Sequence, residues 1–258
     1  MNKKILFITL LFLTTILSSQ TKSKAFKGGE WLRYKMSYSG FLKAGSAELS
    51  VKEEELNGKK VFHSTAKGWT SGMVSWFFKV KDTYESFFDQ VTGKPYFFKR
   101  NIDEGGYKKK KEIRFNYNDK KAYVKDVLKR KDTSVSITNV QDMISAFYYL
   151  RNQNTDNLKE GEAIEINMFF DEKTYPFKLK FLGRETLKTK FGKVKTLKFR
   201  PIVQAGRVFK EQESVTVWIT ADDNKIPIKM KASLSVGSLS AELEGYKGLA
   251  NSFKVVFD

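Results

Sequence analysis

The chain has 258 residues, no cysteine, one histidine and a formal net charge of +18 at pH 7. Without cysteine there is no disulfide framework, no thiolate nucleophile and no lipid-modified N-terminal cysteine. With one histidine besides, zinc fingers, His-based metal triads and Cys–His catalysis cannot be assembled.

Residues 1–20 read as a signal peptide. Lys3 and Lys4 form a positive start, Ile5 to Leu17 is an apolar run diluted by threonines, and Ser18-Ser19-Gln20 is a small, polar exit with the cut expected near Gln20. The run is shorter than the roughly 20 apolar residues of a membrane span, and no second such run follows. The expectation is an exported chain with residues 21–258 as a single β-rich domain, ample in length for one core and held by burial alone.

Apolar and polar residues then alternate. Leu32, Tyr34, Met36 and Tyr38 share one face of a first strand, and Ala47, Leu49 and Val51 one face of a second. The same pattern predicts strands near 59–66, 80–89, 95–102, 107–117, 121–128, 162–170, 175–183, 193–200, 212–220, 225–234 and 238–247. Turn residues punctuate them, among them Ser39-Gly40, Asn57-Gly58, Thr92-Gly93, Asn118-Asp119 and Asp222-Asp223-Asn224. Links this short favour an antiparallel meander, because a parallel crossover needs a dozen or more residues. The lysines mostly take alternate strand positions, as in Phe177-Lys178-Leu179-Lys180-Phe181, which is a solvated sheet face rather than a nucleic-acid footprint. The run Lys108, Lys109, Lys110, Lys111 is the candidate for contact with an anionic surface such as lipopolysaccharide or phospholipid headgroups.

Several features recur at an offset of 132: Gly29-Glu30 and Gly161-Glu162, Pro95 and Pro227, Phe77 and Phe209, Gly105 and Gly237. The reading is an internal duplication of 28–106 in 160–238, with the strands and helix of 107–159 between. Chance recurrence of turn residues is the alternative.

One helix interrupts the strands near 140–151. Asn139 reads as its N-cap and Asp142 as the capping-box partner, and Val140, Met143, Ile144, Phe147 and Leu150 form an apolar stripe. Such a stripe must be buried against a sheet, so the fold class is all-β: a large curved sheet, open barrel or sandwich with one packed amphipathic helix.

Candidate chemistry is sparse. His63 sits in mid-strand, which suits a structural residue better than a triad base. No phosphate-binding glycine motif appears. Asp82, Glu85 and Asp89, Asp103-Glu104 and Asp222-Asp223 leave a paired-carboxylate hydrolase arithmetically open, although turns are where Asp belongs anyway. No catalytic residue, metal site or cofactor is assigned. Aromatic residues make up 14% of the chain, and Trp69 to Phe78 fits strand alternation poorly. That segment reads either as a connection packed into the core or as a loop closing an apolar cavity between Gly68 and Gly72 hinges, the former being favoured.

Taken in order, several motifs resemble the exported bacterial family of domain of unknown function 3108. They are Gly29-Glu30-x-Leu32-x-Tyr34, Ala44-Gly45-x-Ala47-x-Leu49, Val80-Lys81-Asp82-x-Tyr84-Glu85-Ser86 and Glu104-Gly105, then Asp142 through Arg151, then Trp218-x-x-x-Asp222-Asp223-x-x-x-Pro227. The resemblance implies export in a Gram-negative envelope, periplasmic or extracellular. It implies an antiparallel meander curled on itself, broadly like the open barrels of periplasmic lipoprotein carriers, and no established activity.

The functional expectation is non-enzymatic binding of an apolar or amphipathic, lipid- or lipopolysaccharide-like ligand, or of an envelope protein, in a cavity beside Trp69, Trp76, Phe77, Met143 and Phe147. A carboxylate-dependent hydrolase of envelope polysaccharide is one alternative. A structural envelope partner, with an exposed apolar patch in place of a pocket, is the other.

Overall fold

The computed structural model describes residues 24–203 and 215–256; the expected leader, its cleavage site and Phe209 lie outside them. The first eight strands are β1 (Trp31–Tyr38), β2 (Leu42–Leu56), β3 (Lys59–Thr70), β4 (Lys81–Asp89), β5 (Pro95–Glu104), β6 (Tyr107–Asn116), β7 (Lys121–Asp126) and β8 (Lys131–Ser136). A short helix α1 (Val74–Phe77) separates β3 from β4, and α2 (Met143–Arg151) follows β8. The remaining strands are β9 (Ala163–Phe170), β10 (Lys173–Thr189), β11 (Gly192–Val203), β12 (Val215–Thr220), β13 (Pro227–Ser233) and β14 (Ser238–Lys247).

All fourteen belong to one antiparallel sheet in the order β8-β7-β6-β5-β4-β3-β2-β1-β14-β13-β12-β11-β10-β9. The chain starts at the centre, runs outward to the β8 edge, crosses through α2 to the β9 edge and returns. It finishes with β14 paired to β1, Leu239 opposite Tyr38. Local chemistry sets the meander: each strand follows its neighbour through a short turn, and Asn57 and Gly58 adopt the positive φ values (51° and 76°) that a two-residue hairpin turn demands.

The sheet curls without closing. Its β8 and β9 edges are not laddered together. Instead Gln141 bridges to β9, its N–H donating to the Asn167 carbonyl and its own carbonyl accepting from Phe169, both at 2.8 Å. Phe115 of β6 meets Phe169 of β9 edge-on at 5.6 Å, so one hydrophobic core joins the two ends of the sheet. A smaller cluster of Phe181, Leu197, Phe199 and Ile219 fills the β10–β12 region, with Leu158 against it.

Helix α2 begins three residues later than its apolar period suggests. Asn139 is not the cap. Asp142 is, accepting from the Ile144 and Ser145 N–H groups at 2.8 Å while the Ser145 hydroxyl accepts from the Asp142 N–H. The physical reason is that Val140 and Gln141 are drawn into extended backbone by the β9 edge. The buried face shifts accordingly: Ile144, Ala146, Tyr148 and Arg151 point inward, while Met143 is 38% exposed. Tyr148 packs on Phe26 and Phe88 at ring separations of 4.4 and 5.4 Å.

Two buried polar anchors hold this helix. At its end, Arg151 makes a two-pronged ion pair with Glu30 (2.6 and 2.7 Å) and donates to the carbonyls of Ala25 and Asn224. At its start, Asp142 also accepts from the Ser86 hydroxyl at 2.6 Å. Burial pushes the Asp142 carboxyl up to about 6, against the hydrogen bonds from Ser86, Ser145 and Ile144 that favour its charged form. Because the folded pKa is raised, the Asp142 contribution to stability is fully present below its unfolded value near 4 and is lost as pH rises through about 6. Asp142→Asn keeps an N-cap acceptor without a titration. The stability difference between wild type and this variant is therefore expected to move by about 2 kcal/mol in the variant's favour between pH 4 and 7. Urea unfolding at the two pH values measures it; a constant difference would refute the shift.

Each half runs through six sequential antiparallel strands. Strands β1 to β6 begin at residues 31, 42, 59, 81, 95 and 107, and β9 to β14 at 163, 173, 192, 215, 227 and 238, each set a plain meander. Gly29 and Gly161 share φ values of 92° and 94° and donate to the Val51 and Phe181 carbonyls at 2.8 and 2.9 Å. The β4–β5 and β12–β13 pairs each carry a register shift, at Phe87/Phe88 and Trp218/Ile219, just before the turns that lead to Pro95 and Pro227. We propose duplication of a six-stranded unit as the origin of this match. Superposing 28–106 on 160–238 tests it, and divergent strand paths would end the idea.

Candidate functional site

In an antiparallel meander every second connection lies at the same end. One end here holds the turns outside β1–β2, β3–β4, β5–β6, β7–β8, β9–β10 and β13–β14; the other holds the chain entry at Ala25–Glu30 and the C-terminal segment that packs on Asn224. The first end forms a stitched rim. Ser39 N–H donates to Ser238 O (2.7 Å), Ser71 N–H to Ala44 O (3.1 Å) and Gly105 N–H to Lys79 O (2.8 Å).

Ten of the thirteen large apolar side chains left exposed among the described residues sit on this rim, and only Val91, Tyr123 and Met143 lie elsewhere. Trp76 is 81% exposed and Phe77 88%, both on α1; Phe41 in the β1–β2 turn is 81% and Val236 in the β13–β14 turn 76%. The α1 projection is built locally. Thr70 pairs with Val80 to pinch its base, and the Ser75 hydroxyl donates to the Gly72 carbonyl. The Phe78 ring lies on Gly105, where a Cβ would come within 2.4 Å of the ring. The segment Trp69 to Phe78 therefore does not pack into the core, contrary to the expectation. Trp76 and Phe77 stand in solvent, and α1, held above the Thr70–Val80 pinch, carries no buried residue.

Inside the same end, charge is neutralised within the protein. Asp171 and Glu172, at the tip of the β9–β10 turn, reach Arg100 (3.0 Å), Lys109 (2.6 Å) and Lys111 (2.5 Å). Burial raises the Asp171 carboxyl, but the Lys109 hydrogen bond and the charges of Lys109, Arg100 and Lys111 outweigh it and hold it below its ordinary value. The lysine run is thus corrected: strand alternation turns Lys109 and Lys111 inward to these carboxylates and leaves Lys108 and Lys110 outside. Nearby, burial first and a hydrogen bond with Asp82 second raise the Glu104 carboxyl. Two carboxyl groups in direct hydrogen bond are closer than the roughly 5–9.5 Å that glycosidase pairs need.

The helix side is filled. A cavity of about 220 Å³ lies beside α2, lined by Phe26, Phe62, Phe88, Tyr148, Tyr149 and Asn152 among others, below the roughly 300–1,000 Å³ of ligand sites. The five residues expected around one cavity are not brought together. Trp76 and Phe77 stand on the rim, and Trp69, the penultimate residue of β3, lies under Arg33. Met143 is surface, and Phe147 packs edge-on against Tyr148. None of the five cavities described is lined by any of them. His63 stacks on Phe87 at 3.9 Å, with Glu54 and Glu85 each 3.0 Å from a ring nitrogen and no serine partner. Among the described residues no group of His, Asp and Glu could hold a metal ion, and no helix is long and apolar enough to cross a membrane.

A family model described as "Protein of unknown function (DUF3108)" matches residues 33–244. The chain belongs to this family. No curated protein matches this DUF3108 member. Among solved structures it is similar to a β-barrel-like protein of domain of unknown function DUF1849 from Brucella abortus, with a TM-score of 0.57 and 9% identity over 86% of this chain and 98% of that one. At that identity the likeness shows the fold alone. A candidate lipoprotein from Parabacteroides distasonis (TM-score 0.38, 10% identity, 88% of this chain and 100% of that one) resembles the DUF3108 chain more loosely. So does a candidate exported protein with YmcC-like fold from Bacteroides fragilis (0.35, 10%, 87% and 99%). Neither of these bears on its function.

Proposed function

We propose that this chain is an exported, non-enzymatic protein of the cell envelope that docks by its loop rim, engaging an amphipathic, lipid-like ligand or an envelope partner. The single observation that carries this is the rim itself: exposed aromatic side chains concentrated at one end of a curled sheet whose other end carries the chain entry and the C-terminal segment. Isolated exposed apolar residues need no explanation, but a contiguous fringe of them does. Leaving Trp76, Phe77 and Phe41 in water forgoes roughly 1.5–3 kcal/mol each relative to burial. The filled helix side moves the binding surface from an internal cavity to this external rim.

The test is partition into micelles of the nonionic detergent dodecyl maltoside, followed by tryptophan fluorescence. A blue shift is expected with the wild-type chain and its loss with Trp76→Ser/Phe77→Ser. Both residues are exposed, so the unfolding free energy should stay within about 0.5 kcal/mol of wild type. No shift, or the same shift in the double variant, would remove the rim as a docking surface.

A further inference from the structure

The charges around the rim narrow its occupant. We infer that the barrel docks end-on onto an anionic lipid surface, with Trp76, Phe77, Phe41 and Leu128 entering the interface and the neighbouring lysines meeting headgroup phosphates. The inference rests on the rim being a docking surface and goes further by naming what it meets.

Apolar tips on this rim sit beside cationic residues. Phe41 is followed by Lys43, Trp76 to Phe78 by Lys79 and Lys81, Tyr107 by Lys108 and Lys110, and Leu128 by Lys129, Arg130 and Lys131, all of them exposed. The stretch from Gly72 to Lys81 contains no acid. Most carboxylates at this end are occupied or turned inward, Asp132 beside Lys131 being an exposed exception. Asp82 and Asp126 are buried, Glu104 is hydrogen-bonded to Asp82, Asp171 and Glu172 are held by Arg100, Lys109 and Lys111, and Asp103 lies 3.9 Å from Lys108. The β13–β14 turn contributes Leu234 and Val236 among serines, with no charge at all.

Aromatic tips ringed by lysine fit the membrane interface. Tryptophan and phenylalanine sit at headgroup depth, lysine keeps its ammonium in water, and each cation near an anionic leaflet adds attraction. A protein partner of purely apolar character would find this fringe an obstacle, since its charges would lose water without gaining counter-charges.

The experiment is flotation of the chain lacking residues 1–20 with vesicles of phosphatidylcholine alone or with 30% phosphatidylglycerol, at low and high salt. Binding to the phosphatidylglycerol vesicles is expected to be about tenfold tighter or more, with the preference collapsing in 0.5 M salt as screening shortens to a few ångströms. Lys79→Gln/Lys81→Gln should weaken anionic-vesicle binding several-fold while leaving the dodecyl maltoside shift unchanged. Trp76→Ser/Phe77→Ser should weaken both. Equal affinity for the two vesicle types would overturn the anionic preference and leave the rim reading intact. A micelle shift without any vesicle binding would also overturn it, pointing to a protein partner or a second copy of the chain. Loss of both the micelle shift and the vesicle binding in the wild-type chain would end both readings.

Discussion

Arg151→Ala is expected to cost about 3–5 kcal/mol of folding free energy, because it leaves the Glu30 carboxylate buried without its partner. The pair is enclosed: Arg151 is 3% exposed and Glu30 1%. Arg151 also ties three separate parts of the chain together, namely Ala25 and Glu30 at the entry, the end of α2, and the Asn224 turn between β12 and β13. Asn224 in turn holds the C-terminal segment through Asn251 and Ser252. Lysine should not rescue, since it is a point charge that cannot supply the forked donors. Glu30→Met/Arg151→Met should recover part of the loss, because an apolar pair of similar volume avoids the stranded charge. Recovery should stay incomplete, as the Ala25 and Asn224 carbonyls lose their donors. Urea unfolding of the three variants measures this. A loss under 1 kcal/mol for Arg151→Ala would show that the entry segment relaxes to water and is not locked.

Tyr148→Ala should be of similar size, about 3–5 kcal/mol, for a different reason. Its ring is the hub of an aromatic cluster, in contact with Phe26, Phe88 and Phe147 at 4.4 to 5.4 Å, and alanine would leave a cavity that rigid β-strands cannot collapse around. Tyr148→Phe separates packing from polarity. The hydroxyl has one long contact, 3.3 Å from the Ser64 hydroxyl, so its removal is expected to cost no more than about 1 kcal/mol. Thermal and urea unfolding together check both values. Comparable losses in the two variants would mean that the hydroxyl, not the ring, anchors the helix.

Legibility from sequence followed locality. The strands were readable because alternation is written in adjacent residues, and hairpin turns because Asn-Gly and Gly at positive φ are local needs. The helix was readable in kind but not in phase. Asn139 and Asp142 are both good caps, and only the β9 edge, pulling Gln141 into a bridge, decides between them. The motifs of the family resemblance contained Glu30, Ser86, Asp142 and Arg151, yet nothing local shows that Glu30 meets Arg151 across 121 residues. The candidate site was half legible. Trp76 and Phe77 break the alternation because their segment projects outward, not because it lines a cavity. The Lys108–Lys111 run divided by pleat, which alternation implies, while its inward members found carboxylates from a distant turn.

The sequence by itself determined the all-β meander, its punctuation and the single amphipathic helix, because these depend on residues within a few positions of one another. Only the tertiary structure decided which helix face is buried, where the two sheet edges meet, and that the exposed aromatics gather at one end. Those outcomes depend on how strands far apart in the chain share one curved sheet, and no local pattern records the curvature.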